Sequence, residues 1–355
     1  MRSPKPPQVF PALSYLRHMK RQVYRLKAGS FQDLKRSEEE ITAPEGGEVL
    51  VEVKAIGLNF ADVFAIWGLY GATPTEPFIP GLEFSGIVSQ LGPQAEGLEI
   101  GQRVMGVTRF GAYASHLKVD YRYLIPVPDA WDMATGAAYL VQVLTAYYGL
   151  VELGKIEQGH TVLIHSAAGG VGTLANRIAK KFDAYTIGTV GSERKVKFCQ
   201  EEGYDQVIVR GKDFPEKLES ALQGKPLLLV MECIGGKILA ESFKRLAPRG
   251  RMVLYGSASY AQDGDRPNYF KLLWKFINRP KLDPRDLIES NRAVLGFNLI
   301  YLHERVELMH QMLAEVGQLD IEAPVVGHRY AFNELPTAVR FFRSGQSIGK
   351  VVIER

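Results

Sequence analysis

Two cysteines, Cys199 and Cys233, are all that 355 residues contain. So few thiols exclude a disulfide framework and a cysteine-rich zinc lobe, and they fit a reducing, cytoplasmic compartment. Charge of one sign is lacking too. The 43 Lys and Arg stand against 39 Asp and Glu, spread along the chain, for a net charge of +4. That balance argues against a nucleic-acid partner. No apolar run is read as approaching the roughly 18 residues needed to span a bilayer. The stretch before Val23 has a short apolar patch over 9–16, broken by Pro11 and followed by Arg17, His18, Lys20 and Arg21. It lacks a small-residue cleavage site and is read as a disordered leader over residues 1–19, not a secretion signal. Internal repeats and low-complexity tracts are absent as well.

What is present is ordinary in amount and informative in arrangement. Hydrophobic residues make up 46% and charged residues 23%, and this length leads one to expect two domains. From Lys20 to Val127 the pattern is mostly β. Val49-Leu50-Val51-Glu52-Val53-Lys54-Ala55 and Phe84-Ser85-Gly86-Ile87-Val88 read as strands, separated by turns at Gly46-Gly47, Pro80-Gly81, Gly92-Pro93 and Gly101. From about Thr135 the period lengthens to that of helices, with an apolar helix expected over 137–151. Strands are then placed at 161–165, 184–189, 206–208, 227–231 and 251–255, with helices between them. This is the pattern of a doubly wound parallel sheet. An aromatic helix falls at 269–277. Residues 293–299, a helix near 303–316 and a strand at 349–353 read as a return to the β domain, so the architecture is a Rossmann domain inserted into a split β domain.

The segment that carries chemistry is His165-Ser166-Ala167-Ala168-Gly169-Gly170-Val171-Gly172, directly after Thr161-Val162-Leu163-Ile164. A buried strand, a glycine turn and a helix in that order present backbone N–H groups to a dinucleotide pyrophosphate. Gly169 and Gly170 allow close approach, and Gly172 lets the helix pack on the sheet. At the end of the second strand an NAD enzyme usually carries Asp or Glu. Here Val190 stands there, followed by Gly191, Ser192, Glu193, Arg194 and Lys195. A hydroxyl and two cations suit a 2′-phosphate, so NADPH is expected. The alternative is an exposed basic helix start, and Glu193 is the discordant residue. Among the histidines, His165 is read as a packing or hydrogen-bonding group. His303 and His310 are read as sharing one face of an exposed helix, and Cys233 as a small buried residue at a strand end.

Several motifs together resemble one family. These are Gly57-Leu58-Asn59-Phe60-Ala61-Asp62, Gly68-Leu69-Tyr70, Pro77-Phe78-Ile79-Pro80-Gly81-Leu82-Glu83-Phe84-Ser85-Gly86, Gly101-Gln102-Arg103-Val104-Met105-Gly106, Leu144-Thr145-Ala146-Tyr147, the glycine turn, and Ile348-Gly349-Lys350-Val351-Val352. They resemble the medium-chain dehydrogenase/reductase superfamily from about Lys20 to Arg355, and within it the zinc-independent quinone oxidoreductases. Pro280-Lys281-Leu282-Asp283-Pro284 and Asn291-Arg292-Ala293-Val294-Leu295-Gly296-Phe297-Asn298-Leu299 look most like the VAT-1 branch. The resemblance implies a GroES-like catalytic domain over 20–144 and 293–355, enclosing a Rossmann NADPH-binding domain over 145–292. It also departs from the zinc enzymes, where a histidine ligand stands in the place of Leu82. With no cysteine in the N-terminal domain, a catalytic zinc site lacks ligands of the expected type. Glu83 is left with a structural role, hydrogen-bonding backbone near the cleft.

The same resemblance places Asn59 near the nicotinamide ribose, Thr145 beside the nicotinamide and Tyr255 along the cofactor. Ser166, Ala168, Gly169, Gly170, Val171 and Gly172 fall by the pyrophosphate, and Gly191, Ser192, Arg194 and Lys195 by the 2′-phosphate. Lys350 falls at a C-terminal cofactor contact. Arg210 replaces a frequent aromatic at the adenine edge, to stack on adenine or to add charge. Tyr70 matches a tyrosine at the substrate mouth, where it either donates a proton or forms wall, while Phe64 replaces a tyrosine found in some relatives. Three functions stay open: hydride transfer to quinones, reduction of alkenals or enoyl thioesters, and a nucleotide-binding protein associated peripherally with membranes or partners. A homodimer joined along the last Rossmann strands is implied by the family alone.

Overall fold

The computed structural model describes residues 18–355, so the leader expected over 1–19 lies almost entirely outside the described residues. Strands β8 (Thr161–His165), β9 (Tyr185–Val190), β10 (Gln206–Val209), β11 (Leu227–Glu232), β12 (Leu246–Leu254) and β13 (Ala293–Gly296) form one parallel sheet. Their order is β10-β9-β8-β11-β12-β13. Crossover helices cover both faces, which is why β8 is buried along its whole length and reads as an unbroken apolar run. The switch in strand order falls between β8 and β11, at the C-terminal end of β8, where the glycine turn begins.

Five strands before the insertion and two after it build the core of the other lobe. β3 (Glu48–Gly57), β4 (Glu83–Leu91), β5 (Arg103–Val107) and β7 (Leu124–Pro126) are joined by β14 (Val326–Ala331) and β15 (Lys350–Glu354) in the order β14-β15-β3-β4-β5-β7. β6 (His116–Asp120) also pairs with β3. β1 (His18–Arg25) and β2 (Lys35–Thr42) form an antiparallel pair beside it. β15 pairs antiparallel with β3 through Val352 and Gly57, so the late part of the chain closes the β lobe. The α/β architecture is therefore a β domain split by a Rossmann-type insertion.

Three expectations need correction. Residues 293–296 do not return to the β lobe. They pair parallel with β12, Ala293 beside Arg251, and complete the dinucleotide sheet. A four-residue apolar strand carries no period that assigns it to one sheet or the other. The helix near 303–316 begins later, at Val306–Gln318. His303 therefore precedes it, with its ring stacked on Tyr123 at a centroid distance of 4.1 Å, and only His310 is exposed on the helix. The apolar segment at 137–151 is broken into Met133–Gly136, Leu140–Tyr147 and a wide turn at Tyr148–Leu153. Taken together, Met133–Leu153 spans 21 residues with a mean hydropathy of 1.2, long and apolar enough to cross a membrane, against the expectation of no such run. Its best window is 72% buried inside the fold, between the two lobes, so its apolarity serves the core.

Gly57 marks how tightly the β lobe packs on the apolar segment that leads into the insertion. A methyl there falls 2.1 Å from the Ala137 carbonyl oxygen and 2.7 Å from Glu83 Oε1. Gly57→Ala is expected to cost about 1–3 kcal/mol or more by overpacking, read as a lowered midpoint in urea denaturation. An unchanged midpoint refutes this packing.

Candidate active site

A cleft of about 1470 Å³ runs between the lobes. Its middle is the glycine turn. Ser166 leaves β8 with φ +55°, and Gly169 starts the helix Gly170–Lys180. A Cβ on Gly172 meets the Ser166 and Ala167 carbonyl oxygens at 2.5 and 2.6 Å, so only glycine allows the helix to begin this close to the strand. On Gly170 a Cβ meets Gln142 at 2.9 Å. Ala168, Gly169, Gly170, Val171 and Gly172 all face the cleft, with the first helical N–H groups free of intrahelical acceptors. The Gly349 N–H donates to the Ala168 carbonyl at 2.7 Å and so ties the turn to the β lobe.

One end of the cleft is cationic. Gly191, Lys195 and Arg210 line it together, with Ser192 and Arg194 just outside the lining. Lys195 donates to the Gly345 carbonyl at 2.7 Å, and Arg194 to the Gln346 carbonyl. Arg210 donates to the Thr189 carbonyl at 3.1 Å and to its hydroxyl at 2.9 Å. Among the described residues none of the three makes an ion pair, though buried Glu232 lies close enough to Arg210 to act on its charge. Burial, and then the neighbouring Arg194 and Arg210, push the Lys195 ammonium down to about 8. Glu193 is exposed to solvent and does not cancel them. Behind Arg210, the Thr189 hydroxyl lies 2.8 Å from His165 Nδ1. His165 Nε2 lies 3.1 Å from the Ser242 hydroxyl and 3.2 Å from Glu232 Oε2. Burial holds this imidazole at about 3, hence neutral, and it packs and hydrogen-bonds as expected.

The opposite end is built on a buried ionic network. The Lys350 ammonium pairs with Glu83 Oε1 and donates to Asn59 Oδ1 at 2.9 Å. The Asn59 amide donates to Glu83 Oε1 at 2.9 Å, and the Gln142 amide donates to Asn59 Oδ1 at 2.8 Å and Glu83 Oε1 at 3.0 Å. Glu83 Oε2 accepts the Val141 N–H at 3.1 Å, the backbone-bonding role expected of it. Burial pushes the Lys350 pKa down, while Glu83 and Asp62 oppose that shift. Buried Asp62, whose carboxylate accepts the Asn59 N–H at 2.8 Å, is raised by burial to about 7. Lys350 thus reaches the cleft wall with its ammonium already engaged by Glu83 and Asn59. Thr145 lies beside this network, and its hydroxyl donates to the Val141 carbonyl at 2.6 Å.

Beyond the network the wall becomes apolar. Phe60, Phe64, Leu69, Tyr70, Tyr255 and Phe297 line it. The Tyr70 hydroxyl donates to Asn298 Oδ1 at 2.7 Å, and burial raises its pKa to about 12. Tyr255 stacks on Phe297 at 6.2 Å. Cys233 is half-buried on the cleft wall, its thiol 3.4 Å from the Ser166 hydroxyl, and is thus less enclosed than expected. Gln142, Asn298 and His303 also belong to the lining, and the sequence reading had assigned none of them a site role. Asn298 directly follows the Gly296-Phe297 end of β13, but its partner Tyr70 is 228 positions away.

Among the described residues no three His, Cys, Asp or Glu groups converge as metal ligands. Leu82 faces the cleft, and Glu83 is held by a lysine and two amides.

A Rossmann-type lobe set in a split GroES-like lobe, meeting at a nucleotide-sized cleft, defines a medium-chain dehydrogenase/reductase. Residues 45–129 match the alcohol dehydrogenase GroES-like domain and 170–315 the zinc-binding dehydrogenase family. The chain is 32% identical over 316 residues to the synaptic vesicle membrane protein VAT-1 homolog of Rattus norvegicus, covering 88% of this chain and 78% of that protein. The chain belongs to the medium-chain dehydrogenase/reductase superfamily, with VAT-1 homologs among its relatives. Escherichia coli quinone oxidoreductase complexed with NADPH superposes with a TM-score of 0.81 at 28% identity, over 95% of this chain and 100% of that one. The CurK enoyl reductase superposes with a TM-score of 0.80 at 26% identity, over 94% and 99%.

Removing one partner of the buried pair tests the network. Glu83→Gln leaves the Lys350 ammonium uncompensated and is expected to cost ~3–5 kcal/mol. Adding Lys350→Met should restore part of that loss in urea denaturation. A single variant as stable as the parent refutes the assignment.

Proposed function

We propose that this oxidoreductase is an NADPH-dependent, zinc-independent reductase of quinones or conjugated carbonyl compounds. The carrying observation is the pair of unpaired cations, Lys195 and Arg210, at one end of a cleft whose other end is apolar and aromatic. Two fixed cations at the end of β9, where an acidic residue would bind both ribose hydroxyls, suit a 2′-phosphate. The NADPH complex of the similar E. coli enzyme supports this cofactor. Bound there, NADPH supplies the hydride.

The chain's own residues do the rest. The helix start at Gly170 receives a pyrophosphate. The network around Asn59, Thr145 and Lys350 fixes one face of the nicotinamide pocket, and Phe60, Phe64 and Phe297 exclude water around the acceptor. Hydride gained by a quinone or enone leaves negative charge on a carbonyl oxygen. Tyr70 is protonated at neutral pH as any tyrosine is, and burial, which raises it to about 12, keeps it a donor and not a base; turning its O–H from Asn298 to that oxygen stabilises the charge. The similar enoyl reductase and the large cleft favour alkenals or enoyl thioesters as a second acceptor class. The unpaired outer edge of β13 favours a homodimer joined along that strand.

Lys195→Ala should raise the Michaelis constant for NADPH far more than for NADH, and equal effects sink the cofactor assignment. Since Lys195 titrates near 8, it is charged below that pH and neutral above it. NADPH affinity, followed by nucleotide fluorescence, should therefore weaken from pH 7 to 9 while NADH affinity stays flat. A screen of NADPH oxidation with quinones, alkenals and enoyl-CoAs identifies the acceptor; tight binding without turnover of any of them points to a nucleotide-binding role instead. In that screen Tyr70→Phe should lower turnover with NADPH binding intact, and unchanged turnover makes Tyr70 a wall residue.

A further inference from the structure

The C-terminal ends of the Rossmann strands carry a row of polar side chains that runs across the sheet. In the strand order β10-β9-β8-β11, Arg210 follows β10, Thr189 lies in β9, His165 ends β8 and Glu232 ends β11. Each meets the next. Arg210 Nη1 donates to the Thr189 hydroxyl at 2.9 Å, that hydroxyl lies 2.8 Å from His165 Nδ1, and His165 Nε2 lies 3.2 Å from Glu232 Oε2. Thr189, His165 and Glu232 are fully buried, and of the four only Arg210 lines the cleft. A carboxylate and an imidazole are costly to bury in a sheet of apolar strands, and packing alone does not call for them.

Donors and acceptors along the row fix its direction. Ser242 directs its one hydrogen to the Ile238 carbonyl at 2.8 Å, so towards His165 Nε2, 3.1 Å away, it can only accept. The Glu232 carboxylate faces the same nitrogen, and its other oxygen accepts the N–H groups of Ile234 and Gly235. His165 Nε2 therefore carries the proton, and in this neutral ring Nδ1 accepts. The Thr189 hydroxyl donates to Nδ1, which leaves its lone pairs to Arg210. Arg210 Nη1 also donates to the Thr189 carbonyl at 3.1 Å, and the same carbonyl takes the Ala167 N–H of the glycine turn at 3.0 Å. One guanidinium nitrogen is thus held by two acceptors on one residue. Arg210 Nε and Nη2 have no hydrogen-bond partner among the described residues, and a Cβ added to Gly191 would lie 3.4 Å from Nη2. The open side of the fork stands beside the turn after β9.

We propose that Glu232, His165 and Thr189 are positioning residues that hold the Arg210 guanidinium for the 2′-phosphate and so set the preference for NADPH over NADH, a role that rests on the NADPH reading of this cationic end. A guanidinium on a free stem loses rotamer freedom when it binds phosphate. One already gripped from behind loses less, so its supports tighten binding without touching the nucleotide. NADH has no phosphate at that place and is indifferent to them. Selectivity is then built from the buried side of the sheet as well as from the cations that meet the phosphate.

Binding of NADPH and of NADH to the full chain, followed by nucleotide fluorescence, tests this in paired variants. Thr189→Val keeps the side chain's shape and removes its hydroxyl. It should weaken NADPH binding about 10-fold while NADH affinity, which reports an intact fold, stays unchanged. Thr189→Ser should restore NADPH binding, and His165→Phe should act in the same direction as Thr189→Val. In an Arg210→Met background Thr189→Val should bring no further loss, because its effect passes through the guanidinium. Equal loss of both nucleotides in Thr189→Val, or a loss that adds to that of Arg210→Met, assigns Thr189 a purely structural role and overturns the proposal. If Arg210→Met weakens NADPH binding while Thr189→Val and His165→Phe do not, the positioning role falls and the cofactor reading stands. If Arg210→Met leaves both affinities unchanged, the proposal falls together with the assignment of Arg210 to the 2′-phosphate.

Discussion

Four separate parts of the chain meet at the Glu83 carboxylate: Lys350 at the start of β15, Asn59 at the turn before the helix Phe60–Trp67, Gln142 in the helix Leu140–Tyr147, and Glu83 itself at the start of β4. Burying two charges is costly, and the arrangement is stable only because hydrogen bonds meet the carboxylate from several sides. This constraint fixes the distance between the β lobe and the long apolar segment that leads into the insertion. It also holds the wall against which the glycine turn closes, since Gly349, next to Lys350, donates to Ala168.

The cleft built on that junction has two chemically different ends. At the nucleotide end, charge is left unpaired on purpose-built supports: Arg210 is gripped by Thr189, which is in turn held by the neutral, buried His165. At the acceptor end, aromatic side chains replace charge, and the polar groups present are already engaged. An electrostatic site for the cofactor and a dry, shaped site for the acceptor suit hydride chemistry, in which positioning matters more than nucleophiles or metal ligands.

Much of this was legible in the residues. β8 was placed to the residue because its apolar run ends in a glycine turn, and that turn requires a helix after it. The cations at Arg194 and Lys195 were visible because charge following a strand end is a local signal. The engagement of Lys350 was not legible, because its partners Asn59 and Glu83 lie nearly the whole chain away, beyond anything spacing reveals. β13 was assigned to the wrong lobe for a related reason: four apolar residues fit either sheet, and pairing with β12 decides between them. Met133–Leu153 shows a third limit, since an apolar helix buried between lobes and one that spans a bilayer look alike in composition.

The position of Lys350 also governs when the site can exist. Asn59 and Lys350 are separated by 291 positions, and β15 follows every other strand of its sheet in the chain. During synthesis the β lobe therefore waits with Glu83 uncompensated while the whole Rossmann insertion emerges and folds as a local unit. Only when β15 docks beside β3 does the buried ammonium arrive. Contacts of such range form late and slowly. The nucleotide lobe can thus be complete on a nascent chain that still lacks the second wall of its cleft, so that assembly of the site becomes the last act of folding.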